Sequence, residues 1–240
     1  MDLTDQVAVI TGAGGAIGGA IAVHLAKGGA RVALLGRTSE KLLAVAHETE
    51  DPAVTRCYAI DLTKDEEVQE LAGRIRGDFG RVDILVHAAA TIVLGNAAGA
   101  KADDLDQQYR TNLRAPMVLT QALLPCLKSS HGQIVFVNSS AALQARASAS
   151  QYAATKHGLK AFADSLREQV NPDGIRVLSI FLGRTASPMQ EKIFAAEKRQ
   201  YRPELLLQPE DVASSVVHAL SLPRTAEVTE IHMRPLVKSY

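Results

Sequence analysis

The sequence predicts an α/β fold built on a parallel sheet of seven strands, and three observations predict it. Short apolar runs alternate with helical patterns along the chain, which is the signature of repeated βαβ units. The first run leads into a glycine-rich turn, Thr11 to Gly18, and then an apolar helical stretch. With 240 residues, and no Pro/Gly/Ser-rich linker or composition shift, residues 1–240 read as one domain.

In chain order, Val7 to Thr11 is the first strand, and Ala16 to Lys27, with Ile21 and Leu25 on its apolar side, the first helix. Apolar runs then place strands at Arg31 to Leu35, Arg56 to Ile60 and Ile84 to His87. Helical patterns at Ser39 to Glu50 and Lys64 to Phe79 separate them, and a long one, Asp103 to Leu127, follows. Next come a strand at Ile134 to Asn138, a helix at Tyr152 to Val170 and a strand at Arg176 to Phe181. Gln208-Pro209-Glu210-Asp211 opens the last helix, to Leu220: a first turn needs no proline N–H and favours acids. Thr229 to Met233 is the seventh strand. Arg184 to Leu207 is charged, carries Pro188 and Pro203 and holds a helical pattern in Met189, Ile193 and Phe194; it reads as an insertion that covers something.

Composition narrows the function classes. Lysine plus arginine and aspartate plus glutamate are 26 each, so no net field draws nucleic acid or an anionic membrane, and neither is expected as a partner. Cys57 and Cys126 fit no metal-ligand spacing and no disulfide framework, in keeping with a reducing compartment. No metal is expected. Asp2 and Asp5 precede only about five apolar residues, and no run approaches the ~20 needed to span a bilayer. A soluble cytoplasmic protein is the expectation.

The glycine turn carries the first chemistry. Gly12, Gly14, Gly15 and Gly18 let the backbone turn tightly and approach a pyrophosphate, while the helix that follows offers free N–H groups and a partial positive charge. The second strand ends in Leu35-Gly36-Arg37-Thr38-Ser39. An NAD-type site wants a carboxylate here for the ribose hydroxyls, whereas a 2′-phosphate repels a carboxylate and pairs with a guanidinium. Gly36 followed by Arg37 therefore points to NADP(H) rather than NAD(H), with Thr38 and Ser39 as further donors. Asp61, with Leu62, suits either a hydrogen bond to an adenine amino group or a cap for the segment from Lys64.

The second chemistry lies in Tyr152-Ala153-Ala154-Thr155-Lys156. A tyrosine and a lysine four apart share a helix face, so the ammonium can favour the phenolate and the two form a candidate acid/base pair. Alone, the spacing more often marks nothing beyond a solvated or snorkelling face. Ser139, thirteen residues before Tyr152 at the end of an apolar run, raises the pair above that, with Ser140 beside it as the rival hydroxyl.

On these residues the chain resembles the classical short-chain dehydrogenases/reductases over almost its whole length. The Thr11 to Gly18 turn, Asp61-Leu62, Asn112 in Thr111-Asn112-Leu113, Ser139, Tyr152 and Lys156 carry the resemblance, and Gly36-Arg37 is similar to the NADP-preferring members. The resemblance implies a single-domain Rossmann-type fold, a doubly wound parallel sheet of seven strands with helices on both faces. It also implies a nicotinamide cofactor and hydride exchange with a small-molecule carbonyl or secondary alcohol. Tyr152 would donate or accept the proton, Ser139 would hold the substrate oxygen, and Lys156 would assist the phenol and bond the nicotinamide ribose. Asn112 would hold a water linking Lys156 to solvent. Ile17 joins the glycines at the cofactor, Ala88 and Ala89 lie at the ribose, Gly183 beside the nicotinamide and Ser187 near its carboxamide. A homodimer or homotetramer, joined through the two long helices, is the implied assembly.

Several positions depart from the family pattern. Ala16 stands at a glycine position of the turn, His87-Ala88-Ala89-Ala90 at the usual Asn-Asn-Ala-Gly, and Leu182-Gly183 at Pro-Gly. His87 is expected to be a packed strand residue. The segments Ala141 to Ser150 and Arg184 to Leu207 should flank the substrate, where Arg146 and Arg184 are candidates to bind a carboxylate. Two other readings stand beside the NADP(H)-dependent carbonyl reductase: an NAD-linked alcohol dehydrogenase, and a non-catalytic NADP(H)-binding sensor. The full set of Ser139, Tyr152, Lys156 and Asn112 argues against the sensor, which needs no proton donor.

Overall fold

The computed structural model describes residues 3–49 and 54–237. Its strands are β1 (Val7–Thr11), β2 (Arg31–Gly36), β3 (Thr55–Ala59), β4 (Ile84–His87), β5 (Gln133–Ser139), β6 (Arg176–Leu182) and β7 (Glu230–Met233). All pair parallel in one sheet of order β3-β2-β1-β4-β5-β6-β7. The helices are α1 (Ala16–Lys27), α2 (Ser39–Glu48), α3 (Asp65–Phe79), α4 (Ala102–Tyr109), α5 (Ala115–Ser130), α6 (Ser150–Val170), α7 (Pro188–Ala196) and α8 (Pro209–Leu220). This is a single-domain, doubly wound Rossmann-like fold.

β1 shows why both faces are covered. All five of its residues are buried, and because side chains alternate, Ala8 and Ile10 join one core while Val7 and Val9 join the other. The first core packs under α1 and α8, the second under α3, α5 and α6. Strand order reverses between β1 and β4, so the crevice beyond their carboxyl ends is the place where such a sheet binds ligands.

Boundaries differ from the sequence expectation by a residue or two, and α2 ends at Glu48 with Thr49 as its C-cap; Glu50, the expected end, lies outside the described residues. The expected helix from Asp103 to Leu127 is broken. A π turn at Arg110–Arg114 separates α4 from α5, a feature that periodicity cannot reveal because the pattern continues on either side. The segment from Arg184 to Leu207 contains α7, where Met189, Ile193 and Phe194 had indicated a helix. Among the described residues, no helix is long and apolar enough to cross a membrane.

Candidate active site

The carboxyl ends of β1, β4, β5 and β6 share one edge of the sheet, with Thr11 level with His87 and Ser139 level with Leu182. At β1 the chain turns through Gly12, whose φ is +66° and where a Cβ would lie 2.7 Å from the Ala89 nitrogen. Glycine is thus required twice over, by conformation and by space. A Cβ at Gly14 would approach Lys41 Cβ at 2.9 Å, and one at Gly18 would collide with the Gly12 carbonyl. Gly15 is the N-cap of α1, without a side-chain cap and without an acid in the first turn. The opening amides of α1, those of Ala16, Ile17 and Gly18, are therefore left for an anion.

Arg37, Thr38 and Ser39 are exposed where β2 ends, and Thr38 is the N-cap of α2 with no side-chain cap bond. Half-buried Asp61 accepts from Thr63 N–H at 3.0 Å and Thr63 Oγ1 at 2.8 Å. It closes a local turn, while Lys64 is the N-cap of α3. Burial would raise the Asp61 carboxyl, but the two Thr63 bonds, Lys64 and Arg37 together hold it below its ordinary range. Leu62 packs on the second core.

Thr11 ties β1 to the end of β4. Its Oγ1 donates to Val86 O at 3.3 Å and accepts from the Ala88 and Ala89 amides at 3.0 and 3.1 Å. Ala88 and Ala89 are thus held beside Gly12 by their backbone amides on the Thr11 hydroxyl, which asks nothing of their own side chains. His87 is a packed strand residue, as expected. It stacks on Phe136 at 5.0 Å, bonds Thr120 Oγ1 at 2.9 Å and is pushed down to about 3 by burial, which keeps it neutral.

Ser139, Tyr152 and Lys156 come together. The Ser139 hydroxyl stands near enough to the Tyr152 phenol to favour its phenolate form, while Ser140 is exposed. Ser139 Oγ also accepts from Ala141 N–H at 3.1 Å, capping the turn that leaves β5. Lys156 is only 2% exposed. Its Nζ lies 5.8 Å from the Tyr152 ring centroid and donates to Val137 O at 3.1 Å. Burial pushes the phenol up to about 12, with the Ser139 hydroxyl working the other way, and pushes the Lys156 ammonium down to about 8. Burial therefore outweighs the lowering of the phenol that the Tyr–Lys spacing suggests.

Asn112 is fully buried in the π turn. Its Oδ1 accepts from Thr91 N–H at 2.8 Å, and its Nδ2 donates to Thr91 O at 2.9 Å and Thr155 Oγ1 at 3.1 Å. Both amide hydrogens are thereby used on protein partners. Thr155 donates in turn to Tyr152 O at 2.9 Å. Gln108, one helical turn before Asn112 and also fully buried, accepts from Val93 N–H at 3.1 Å and donates to Gln151 Oε1 at 3.3 Å. Sequence reasoning missed Thr91, Thr155, Gln108 and Gln151. The signal was available for Gln108: two amides spaced i,i+4 on one face of a helix.

At β6, Gly183 donates to Met233 O at 2.8 Å, and a Cβ there would lie 3.1 Å from Pro235 Cδ. The Ser187 side chain is occupied as the N-cap of α7, accepting from Gln190 N–H at 3.1 Å and donating to Thr185 O at 3.2 Å. Arg146 is exposed. Arg184 is paired with Glu197 at 2.8 Å through Nη2, while its Nη1 is buried without a partner. No group of three or more His, Cys, Asp or Glu among the described residues is placed to hold a metal ion.

Known proteins match the chain over nearly its whole length. An uncharacterized oxidoreductase of Staphylococcus aureus is 32% identical over 235 residues, covering 98% of this chain and 99% of that protein. Another, of Staphylococcus saprophyticus, is 30% identical over 240 residues, covering 98% of this chain and 100% of that protein. Among solved structures, a metagenomic short-chain oxidoreductase in complex with NADP has a TM-score of 0.85 at 29% identity, covering 98% of this chain and 99% of its own. The alcohol dehydrogenase of the archaeon Thermococcus sibiricus, complexed with 5-hydroxy-NADP, has a TM-score of 0.87 at 26% identity and 98% coverage of both chains. Residues 6–198 match the family model described as short chain dehydrogenase, and the chain belongs to that family of oxidoreductases, which use nicotinamide cofactors.

Proposed function

We propose that this chain is an NADP(H)-dependent oxidoreductase that interconverts a carbonyl and a secondary alcohol, with Tyr152 as the acid/base. The observation that carries this reading is the convergence of the Ser139 hydroxyl, the Tyr152 phenol and the buried Lys156 ammonium, which lies 5.8 Å from the phenol ring centroid. A buried cation next to a phenol costs stability, and such arrangements concentrate at functional sites.

The residues present fit a nicotinamide dinucleotide phosphate. The uncapped start of α1, with Gly12, Gly14, Gly15, Ile17 and Gly18, suits a pyrophosphate. Exposed Arg37, with Thr38 beside it and Gly36 where a carboxylate would stand, suits a 2′-phosphate. Asp61 and Leu62 are assigned to the adenine, Ala88 and Ala89 to a ribose, and Gly183 and Ser187 to the carboxamide side. The NADP and 5-hydroxy-NADP complexes of the two solved relatives support the same choice. When bound, the cofactor supplies or accepts the hydride.

The proton is the protein's task. In reduction the Tyr152 Oη gives its proton to the carbonyl oxygen as that oxygen gains charge; in oxidation it takes the proton back. Ser139 Oγ holds the same oxygen at the phenol, a positioning task. Lys156 stabilises the phenolate left behind and bonds ribose hydroxyls. Asn112 fixes the Thr91 loop and Thr155, and so the helix turn that carries Tyr152. The partner is a small carbonyl or alcohol. A cytoplasmic dimer or tetramer is part of the same proposal; Leu105 and Tyr109, exposed on α4, support the assembly.

NADPH consumption in the presence of ketones, quinones, 3-oxoacyl thioesters and sugars tests the reading. Turnover of at least one class is expected. Tight NADPH binding with no consumption by any class would replace the enzyme with a cofactor-binding module.

A further inference from the structure

We propose that Arg184 is a positioning residue: through Glu197 and Phe194 it fixes the shape of the segment that covers the site, and it does not anchor a substrate carboxylate. The segment leaves β6 directly after Gly183 and is closed at its base. Leu207 N–H donates to Arg184 O at 3.1 Å and Ala186 N–H to Leu207 O at 2.8 Å. Arg184 thus sits at the fixed end of the segment.

The far end turns back sharply. After α7, Lys198 takes φ +54°, with Lys198 N–H bonded to Ala195 O at 3.0 Å and Arg199 N–H to Phe194 O at 2.9 Å. This is a Schellman turn, whose left-handed position ordinarily holds glycine. A lysine keeps that conformation only where its surroundings impose it.

The surroundings are a charged knot on one ring. The turn brings Glu197 and Arg199 back over Phe194, which is 3% exposed. Arg184 Nη2 donates to both Glu197 carboxylate oxygens, at 2.9 and 2.8 Å. The guanidinium carbons of Arg184 and Arg199 lie 4.6 and 5.2 Å from the Phe194 centroid. Tyr201 meets the edge of that ring at 5.7 Å, and its hydroxyl accepts from Ser187 N–H at 3.0 Å. Arg184 is therefore connected across the segment to Ser187, at the start of α7. Glu197 already takes Nη2, which leaves a substrate carboxylate only Nη1, a buried nitrogen without a protein partner.

Amide hydrogen exchange on the protein without substrate tests this, and that arm does not depend on the proposed reaction. Arg184→Met and the isosteric Glu197→Gln are each expected to speed exchange of residues 189–199 by about tenfold or more, with β5 and α6 unchanged. The double variant should fall short of the two single effects combined, because the Arg184–Glu197 pair is lost in each of them. Arg184→Lys should not restore protection, since an ammonium lacks the planar face that stacks on Phe194. With a substrate in hand, the single variants should raise KM while leaving kcat within about twofold; this arm rests on the proposed function. Unchanged exchange in both single variants, or a selective loss of carboxylated substrates in Arg184→Met, would overturn the proposal.

Discussion

Asn112 holds Thr91 by both of its backbone groups, accepting from the N–H at 2.8 Å and donating to the carbonyl at 2.9 Å. One side chain between α4 and α5 thereby replaces a strand partner for the loop that continues β4. Asn112→Leu should leave the Thr91 groups and Thr155 Oγ1 without partners, at a cost of about 2–4 kcal/mol from the usual penalty for stranded polar groups. Urea unfolding measures it. A loss below about 1 kcal/mol would show that the contacts to Thr91 carry nothing.

Lys156 opposes stability. Its ammonium is held at about 8 by burial, below the unfolded value of 10.5, so the unfolded chain binds more protons between those values. Stability should therefore rise with pH from about 8 to 10.5, and the full cost of the charge is present below 8. Lys156→Met removes the charge and also the bond to Val137 O. The net gain at pH 7 is on the order of 1–2 kcal/mol, read as a higher Tm and shrinking above pH 8. A destabilised variant would show that the buried ammonium is compensated.

In the proposed mechanism the same group should set a pH limit on activity. Reduction needs a protonated phenol, which Tyr152 at about 12 retains, and a charged Lys156, which is lost above about 8. The rate parameter kcat/KM for reduction should be level below pH 8 and fall above it. Lys156→Arg, with whatever residual rate it keeps, should lack that fall. An identical profile in both would assign the limb to another group.

Residues of the site differ in how far the sequence made them legible. The glycine turn was legible because Gly12 and Gly18 have no substitute in their conformation or space, so residue type reports geometry directly. Tyr152, Lys156 and Ser139 were legible through spacing, since a helix and a strand end fix where each side chain stands. The knot of Arg184, Glu197 and Phe194 was not, because it depends on a left-handed Lys198 that no local preference announces. Ser187 was read as a cofactor contact, and its hydroxyl is already engaged at the start of α7; from sequence alone, a serine before Pro188 supports both roles.

In the proposed site, Arg37 is the residue assigned to the cofactor preference. A charge-assisted bond to a phosphate contributes about 1.5–3 kcal/mol, so Arg37→Ala should weaken NADPH binding by roughly 10–100-fold and leave NADH nearly unchanged. Fluorescence titration of both nucleotides measures it. Equal preference for the two in wild type and variant would take the 2′-phosphate away from Arg37.

Proton transfer by Tyr152 is the step on which the proposed reaction stands or falls. Tyr152→Phe isolates it, because the change removes one oxygen and keeps the ring against Lys156. NADPH affinity is to be measured by titration alongside NADPH-dependent carbonyl reduction on the same preparation. Unaltered binding with turnover reduced by about a thousandfold or more is the predicted result. Turnover equal to wild type would contradict it.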